Sequence, residues 1–344
     1  MGMHRALSTT RLALFTAMAA TVLLIAPAAD AQLSPDRTYY GIDREVPVTV
    51  ALPGSEEGEA TIALFNARGD RIAQANVLAG RVDLATFFPI LWDQQQPTVL
   101  YAQLFGSGEG ASGAPIGAPL VIQPLITPRR ARSDESGQSR IPEIVWNDND
   151  YRPLFSGIRV YVDRLLKLNT TEGEMVFRFR PDEAPNTVWH IRELARGGFY
   201  TDIPFHRVLP THRSGKPFVI QAGDPTGTGS GGPGVFIDLE RSNLEHKFGV
   251  LSMARTNDPD TNGSQFFVAL SREATVHLNG RYTGFAEAVS GAEAIVAVEQ
   301  TPLKDPARGS PVDPPRIISA ELIDAPPFGT GPEPVERPQA SGER

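Results

Sequence analysis

The sequence predicts a mainly β protein with more than one domain, and three observations carry that reading. Its 344 residues exceed the roughly 250 to 300 that one hydrophobic core usually serves. From Glu45 to Gln123, apolar and polar residues alternate in short runs, the period of a half-buried strand. Turn clusters such as Pro53-Gly54-Ser55 and Arg68-Gly69-Asp70 separate the runs about every 8 to 12 residues. Together these predict a small all-β sandwich over residues 32–128, with no chemistry that names its role.

Ahead of it, His4, Arg5 and Arg11 precede or open the apolar run Leu12 to Ile25, followed by Pro27 and the small-residue site Ala29-Asp30-Ala31. Charge, apolar length and cleavage pattern together predict a secretory signal peptide over residues 1–31. The chain is therefore expected to be exported, periplasmic or secreted, with no integral membrane segment after cleavage. Within the sandwich, Arg68-Gly69-Asp70 is expected to be a hairpin turn rather than an adhesion tripeptide. Phe87, Phe88 and Trp92 are expected in the core or against a neighbouring domain.

Residues 129–150 mix Arg129, Arg130, Arg132, Asp134 and Gly137 with few apolar residues and read as an exposed linker. A second domain is expected over 151–324. Ile158 to Leu168 and Glu174 to Arg180 look like strands joined in a hairpin through Asn169 to Gly173. Val188, Ile191, Leu194 and Ala195 then fall at helical spacing, and Gly197-Gly198 stops the helix. Residues 325–344, rich in Pro, Gly and Glu, predict a disordered tail.

Composition excludes several classes of function. A net charge of -8 without a basic stripe argues against nucleic acid as a partner. With no cysteine there are no disulfides or thiolates, and six scattered histidines give no metal-ligand spacing. Asp258 to Gly263 begins like a calcium loop, but Ala269 stands where the bidentate acid belongs. Gly227 to Gly234 is glycine-rich without the Lys-Ser or Lys-Thr of a phosphate loop. No metal and no cofactor is expected.

Two blocks carry the functional signal. Phe205-His206-Arg207-Val208-Leu209-Pro210 precedes Phe218-Val219-Ile220-Gln221-Ala222-Gly223-Asp224. Downstream, Gly249 to Phe267 wraps two apolar runs around a polar turn and ends in Gln265-Phe266-Phe267. Arg207 is a planar, permanently charged donor with several fixed N–H groups. From context alone it reads as a surface arginine closing a strand, and the apolar residues, taken one at a time, as ordinary core. Of Phe266 and Phe267, one should face the interior and the other the opposite side.

Both blocks, in this order and at this distance, resemble the cyclophilin peptidyl-prolyl isomerases over about residues 155 to 324. The resemblance implies an eight-stranded antiparallel β-barrel with capping helices, acting on proline-containing peptides or unfolded proteins as a folding catalyst. It implies Arg207 as the catalytic arginine and Gln221 beside it. It also implies a proline socket of Phe218, Val219, Phe267 and Leu278, with Gln265 holding substrate backbone and Ala254 and Arg255 forming the peptide edge. His206 is expected to be structural. His277 and Tyr282, at the groove rim, resemble the bacterial-type members and imply weaker binding of the cyclic drug for which the family is known. Residues 211–217 are an insertion, expected to be a tolerated surface loop. A binding module that holds proline-containing peptides as a chaperone or adaptor, with little turnover, is the competing expectation.

Overall fold

The computed structural model describes residues 32–339 apart from 53–57, 94–96, 107–112, 138–140, 150 and 213. The expected signal peptide, the last five residues of the expected tail and Arg213 of the insertion lie outside the described residues.

Alternation in the N-terminal runs builds two antiparallel sheets. Gln32–Pro35, Pro47–Ala51 and Gly80–Asp83 form the smaller one. The larger one, in spatial order, is Tyr39–Gly41, Phe155–Val162, Pro115–Ile126, Leu100–Gly106, Glu59–Asn66 and Arg71–Leu78. Leu33, Val48 and Val50 of the first share one buried core with Ile62, Leu64, Leu104 and Leu120 of the second. Arg68-Gly69-Asp70 is a turn: Asn66 Oδ1 accepts the Arg68 and Asp70 N–H groups at 2.9 and 3.0 Å, and Gly69 takes φ 88°. Phe88 is buried and Trp92 packs against the core, but Phe87 is exposed, correcting its expected burial. The short helix Leu84–Phe87 turns Leu84 and Phe88, one turn apart, inward and leaves Phe87 outside.

The strand run expected over Ile158 to Leu168 is broken at Asp163. Phe155–Val162 pairs with Pro115–Ile126 in the N-terminal part, and the Asp163 N–H still reaches Pro119 O at 2.8 Å. Arg164–Thr170 then opens a different sheet, so the second part begins at 164 rather than 151.

Among the described residues that sheet has nine strands, where the resemblance implied eight. In order they are Ile203–Pro204, Arg316–Asp324, Arg164–Thr170, Gly173–Phe179, Gly284–Ser290, Val250–Met253, Phe266–Ala269, Val219–Ala222 and Arg207–Leu209. The extra strand is the two-residue Ile203–Pro204, paired with Arg316 and Ile317. Its two edge strands are joined by only Phe205 and His206, so the sheet curls back on itself. Phe177, Phe205, Phe266 and Phe285 fill the interior with Leu166 and Leu251.

Helix Pro185–Arg196 covers one side, burying Val188, Ile191 and Ala195. Pro185 suits its first turn, and the Glu240 carboxylate accepts the otherwise unpaired Asn186 and Thr187 N–H groups at 3.0 and 2.7 Å. A second helix, Ala292–Glu299, contributes Ile295 and Val298 to the same core.

Two other expectations are corrected. The linker contains a hairpin, Ala131–Asp134 paired with Glu143–Trp146. The tail is packed as far as Arg337. Phe328 stacks on Phe65 at 5.0 Å and gives its N–H to Gln103 Oε1 at 2.7 Å. Val335 donates to Ala288 O at 2.8 Å, and Arg337 pairs with Glu299 at 2.8 Å. The tail's few apolar residues find partners that a search for regular periodicity misses. None of the described helices is long and apolar enough to cross a membrane.

Candidate active site

Antiparallel register places Arg207 directly opposite Gln221, and Gln221 opposite Phe267 on the next strand. Residues opposite one another across a ladder share a face, so all three side chains project to one side. There they border a groove of about 900 Å³ that includes Phe218, Ala254, Leu278 and Tyr282.

The polar half of the groove is a directed chain. Arg207 Nη1 donates to Gln221 Oε1 at 3.3 Å, Gln221 Nε2 to Gln265 Oε1 at 2.9 Å, and Gln265 Nε2 to Gly231 O at 2.9 Å. Both ends fix the polarity, because a backbone carbonyl can only accept and a guanidinium can only donate. Neither amide can turn over without breaking two bonds, so Gln221 always shows Arg207 an oxygen. The crossing beneath is tight: Gly223 has φ 93°, and a Cβ there would lie 2.3 Å from Ser264 O. Ser264 Oγ donates to Gly223 O at 2.6 Å and Tyr200 Oη to Ser264 O at 2.9 Å, which anchors the segment leading to Gln265. Arg207 is exposed to the groove, and partial desolvation by the neighbouring walls lowers its pKa from the ordinary arginine value. It remains a cation throughout the working range.

The apolar half is Val219, Phe267 and Leu278, with Phe218, Leu209, Ala254 and Tyr282 packed on them. Phe267 lies parallel to the His246 ring, with 5.7 Å between centroids, and meets the edge of Tyr282 at the same separation. Phe266 points the other way, into the interior of the curled sheet, as alternation requires. His246 bonds Asn279 Oδ1 through Nδ1 at 2.8 Å and Ser252 Oγ through Nε2 at 2.9 Å. Because Oδ1 can only accept, Nδ1 carries the proton and Nε2 takes the serine hydroxyl. Burial lowers the His246 pKa to about 4, so it is neutral at physiological pH.

Arg255 spends its guanidinium on backbone, donating to Arg281 O at 2.8 and 3.2 Å and to Thr256 O at 2.7 Å, and it covers Tyr282 at 4.6 Å. At the rim Phe218 and His277 stack at 5.7 Å, and His212 joins them at 5.0 and 5.3 Å. Burial, then the neighbouring His212, lowers the His277 pKa. The insertion therefore lines the groove through Thr211 and His212 instead of standing clear of it. His206, on the far side from Arg207, has both ring nitrogens buried without hydrogen-bond partners. The Gly227 to Gly234 loop wraps Asp224, whose carboxylate takes the Thr226, Gly229 and Gly231 N–H groups at 2.7, 2.6 and 3.1 Å.

The structure thus brings together all eleven residues that the sequence singled out. Sequence reasoning missed His246, Asn279 and Ser252, which support Phe267 from below. It also missed Ile141, which reaches the groove from just ahead of strand Glu143–Trp146. A lone histidine between Glu245 and Lys247 carries no local pattern.

Comparisons with known proteins decide the family. The family model described as cyclophilin type peptidyl-prolyl cis-trans isomerase/CLD matches residues 165–322. The peptidyl-prolyl cis-trans isomerase ppi1 of Schizosaccharomyces pombe is 38% identical over 163 residues, covering 46% of this chain and 98% of that protein. This chain belongs to the cyclophilin family. Isomerase B of Bacillus subtilis is 44% identical over 123 residues, 35% of this cyclophilin and 80% of the relative. A crystal structure of a Cryptosporidium parvum cyclophilin is 30% identical and covers 47% of this chain and 99% of its own, with a TM-score of 0.43. The cyclophilin is a peptidyl-prolyl cis-trans isomerase, and the matched stretch begins two residues after the break at Asp163.

Proposed function

We propose that Arg207 is the catalytic donor of this isomerase, that Gln221 and Gln265 are positioning residues, and that Phe218, Val219, Phe267 and Leu278 receive the proline ring. Ala254 and Arg255 offer backbone to the peptide, and His277 and Tyr282 close the rim. Rotation of a peptide bond costs about 18–20 kcal/mol because the nitrogen lone pair is delocalised into the carbonyl. A socket that holds the ring leaves the acyl side free to turn. A donor fixed beside the prolyl nitrogen favours the localised lone pair of the twisted state over the planar ground state, which is differential binding. One observation carries the assignment: the amide chain has a single allowed polarity and ends in a guanidinium open to a groove with an apolar floor.

The arrangement of residues 4–31 favours proline-containing segments of exported proteins as clients. The roles are tested by measuring the cis–trans rate and the equilibrium affinity of an Ala-Pro peptide with parent and Arg207→Ala. We expect kcat/KM to fall about 100- to 1000-fold, the loss typical of one oriented donor, with affinity changed less than about threefold. Equal losses in both would make Arg207 a binding contact only, and no loss in either would place the chemistry elsewhere.

A further inference from the structure

A socket waiting for a proline ring should have an open floor. Here the floor residues Val219, Phe267 and Leu278 are only 4, 5 and 3% exposed, although Arg207 beside them is open. Part of the cover comes from outside the curled sheet. Ile141 packs on this cluster and lines the groove, and Pro142, which follows it, is buried. Ile141, from the chain's own Ile-Pro dipeptide, therefore reaches the groove that is read above as the substrate site.

The segment is held as a bound peptide would be, by backbone and by charge. Arg281 Nη1 donates to Ile141 O at 2.9 Å, and the same guanidinium forms an ion pair with Glu143. From Glu143 to Trp146 the chain pairs with Ala131–Asp134. That hairpin is pinned to the isomerase part at its margins. Ser133 Oγ donates to Asn257 O, Arg130 reaches Asp238 and Asp260 at 3.0 and 3.6 Å, and Arg241 lies over Trp146 at 5.3 Å. These fastenings are mostly exposed, and exposed pairs of this kind hold weakly. Such an attachment suits a reversible cap rather than a permanent wall.

We propose that the strand pair Ala131–Asp134 and Glu143–Trp146 holds an intramolecular ligand of the isomerase groove, seating Ile141 on the proline socket so that substrate must displace it. The proposal rests on the site assignment made above. Its consequence is quantitative, because a groove open only part of the time shows an apparent affinity lowered by that fraction. Client segments that bind tightly, or that are presented at high local concentration, would be favoured over short free peptides.

The test is steady-state isomerisation of an Ala-Pro peptide by residues 32–344, comparing the parent with Ile141→Gly and with Glu143→Lys. Both positions lie on the hairpin, outside either main core. We expect KM to fall about tenfold in both, as for a groove otherwise open about a tenth of the time, with kcat little changed. A KM that is unchanged or raised in both, with a normally active parent, would overturn the cap and leave the active-site assignment standing. A raised KM in Ile141→Gly alone would make Ile141 a substrate contact, which also overturns it. No isomerisation by any of the three folded proteins would remove the site assignment and the proposal together.

Discussion

Gln103 and Gln221 show what separates the two parts of this molecule. Both are amides on antiparallel strands over apolar cores. In the N-terminal part Gln103 is fully buried and spends itself on backbone. It donates to Leu104, Ile116 and Gly117 carbonyls at 3.0, 2.9 and 3.2 Å and accepts from the Phe328 N–H. Every bond ends in main chain, so the group does nothing but hold the fold. Gln221 also has its amide satisfied, but its chain ends at Arg207, which still has N–H groups facing a groove. A site of this kind is recognised by what the packing leaves unfinished. Gln103 is closed off by main chain on every side, whereas the Gln221 chain leads to a guanidinium that borders the groove.

The comparison can be broken by matched truncations. Phe267→Ala and Leu104→Ala each remove a large buried side chain, and each is expected to cost about 2 to 5 kcal/mol of unfolding free energy. Only Phe267→Ala should also abolish peptide binding in the folded protein, by removing the socket floor. A comparable binding loss from Leu104→Ala, seen by titration of an Ala-Pro peptide, would show that the two parts are not separable in this way.

Acid sharpens it further. His246 has a folded pKa of about 4 against an ordinary 6.5, so between these values the unfolded chain binds the extra proton. The stability that neutral His246 contributes is present above about pH 6.5 and is lost as pH falls towards 4, by at most about 3 kcal/mol. Denaturant midpoints measured from pH 7 to 4 should fall, and His246→Phe should flatten that slope. An unchanged slope would remove His246 as the groove's acid-sensitive support. A smaller effect is expected at Gln103. Gln103→Leu leaves three carbonyls and the Phe328 N–H without their partner, costing about 1 to 3 kcal/mol of stability. Its kcat/KM at 25 °C should match the parent, and a loss of activity would tie the tail strap to catalysis.

Local pattern made much of this legible in the sequence. Alternation announced the strands and separated Phe266 from Phe267, and the resemblance picked out Arg207. The boundary at Asp163 was hidden because strands 155–162 and 164–170 carry the same alternating pattern, and only their pairing partners differ. Contacts across long sequence separations were hidden for a similar reason. Ile141 with Arg281, and Gln103 with Phe328, join segments whose local composition reads as linker or tail. His212 was unreadable because an insertion's length says nothing of where its side chains rest. Residues that touch Arg207 or Phe267 along neighbouring strands could be found, whereas those that arrive from another part of the chain could not.

The central claim is that catalysis depends on a guanidinium held in one orientation by Gln221, and Arg207→Lys tests it most directly. Lysine keeps the charge but loses the planar fork, so it cannot both accept the hold of Gln221 and present a second fixed donor. The account predicts that kcat/KM for an Ala-Pro peptide falls at least about tenfold, equivalent to about 1.4 kcal/mol, at nearly unchanged peptide affinity. Parent-like turnover by Arg207→Lys would contradict it, because charge alone would then suffice.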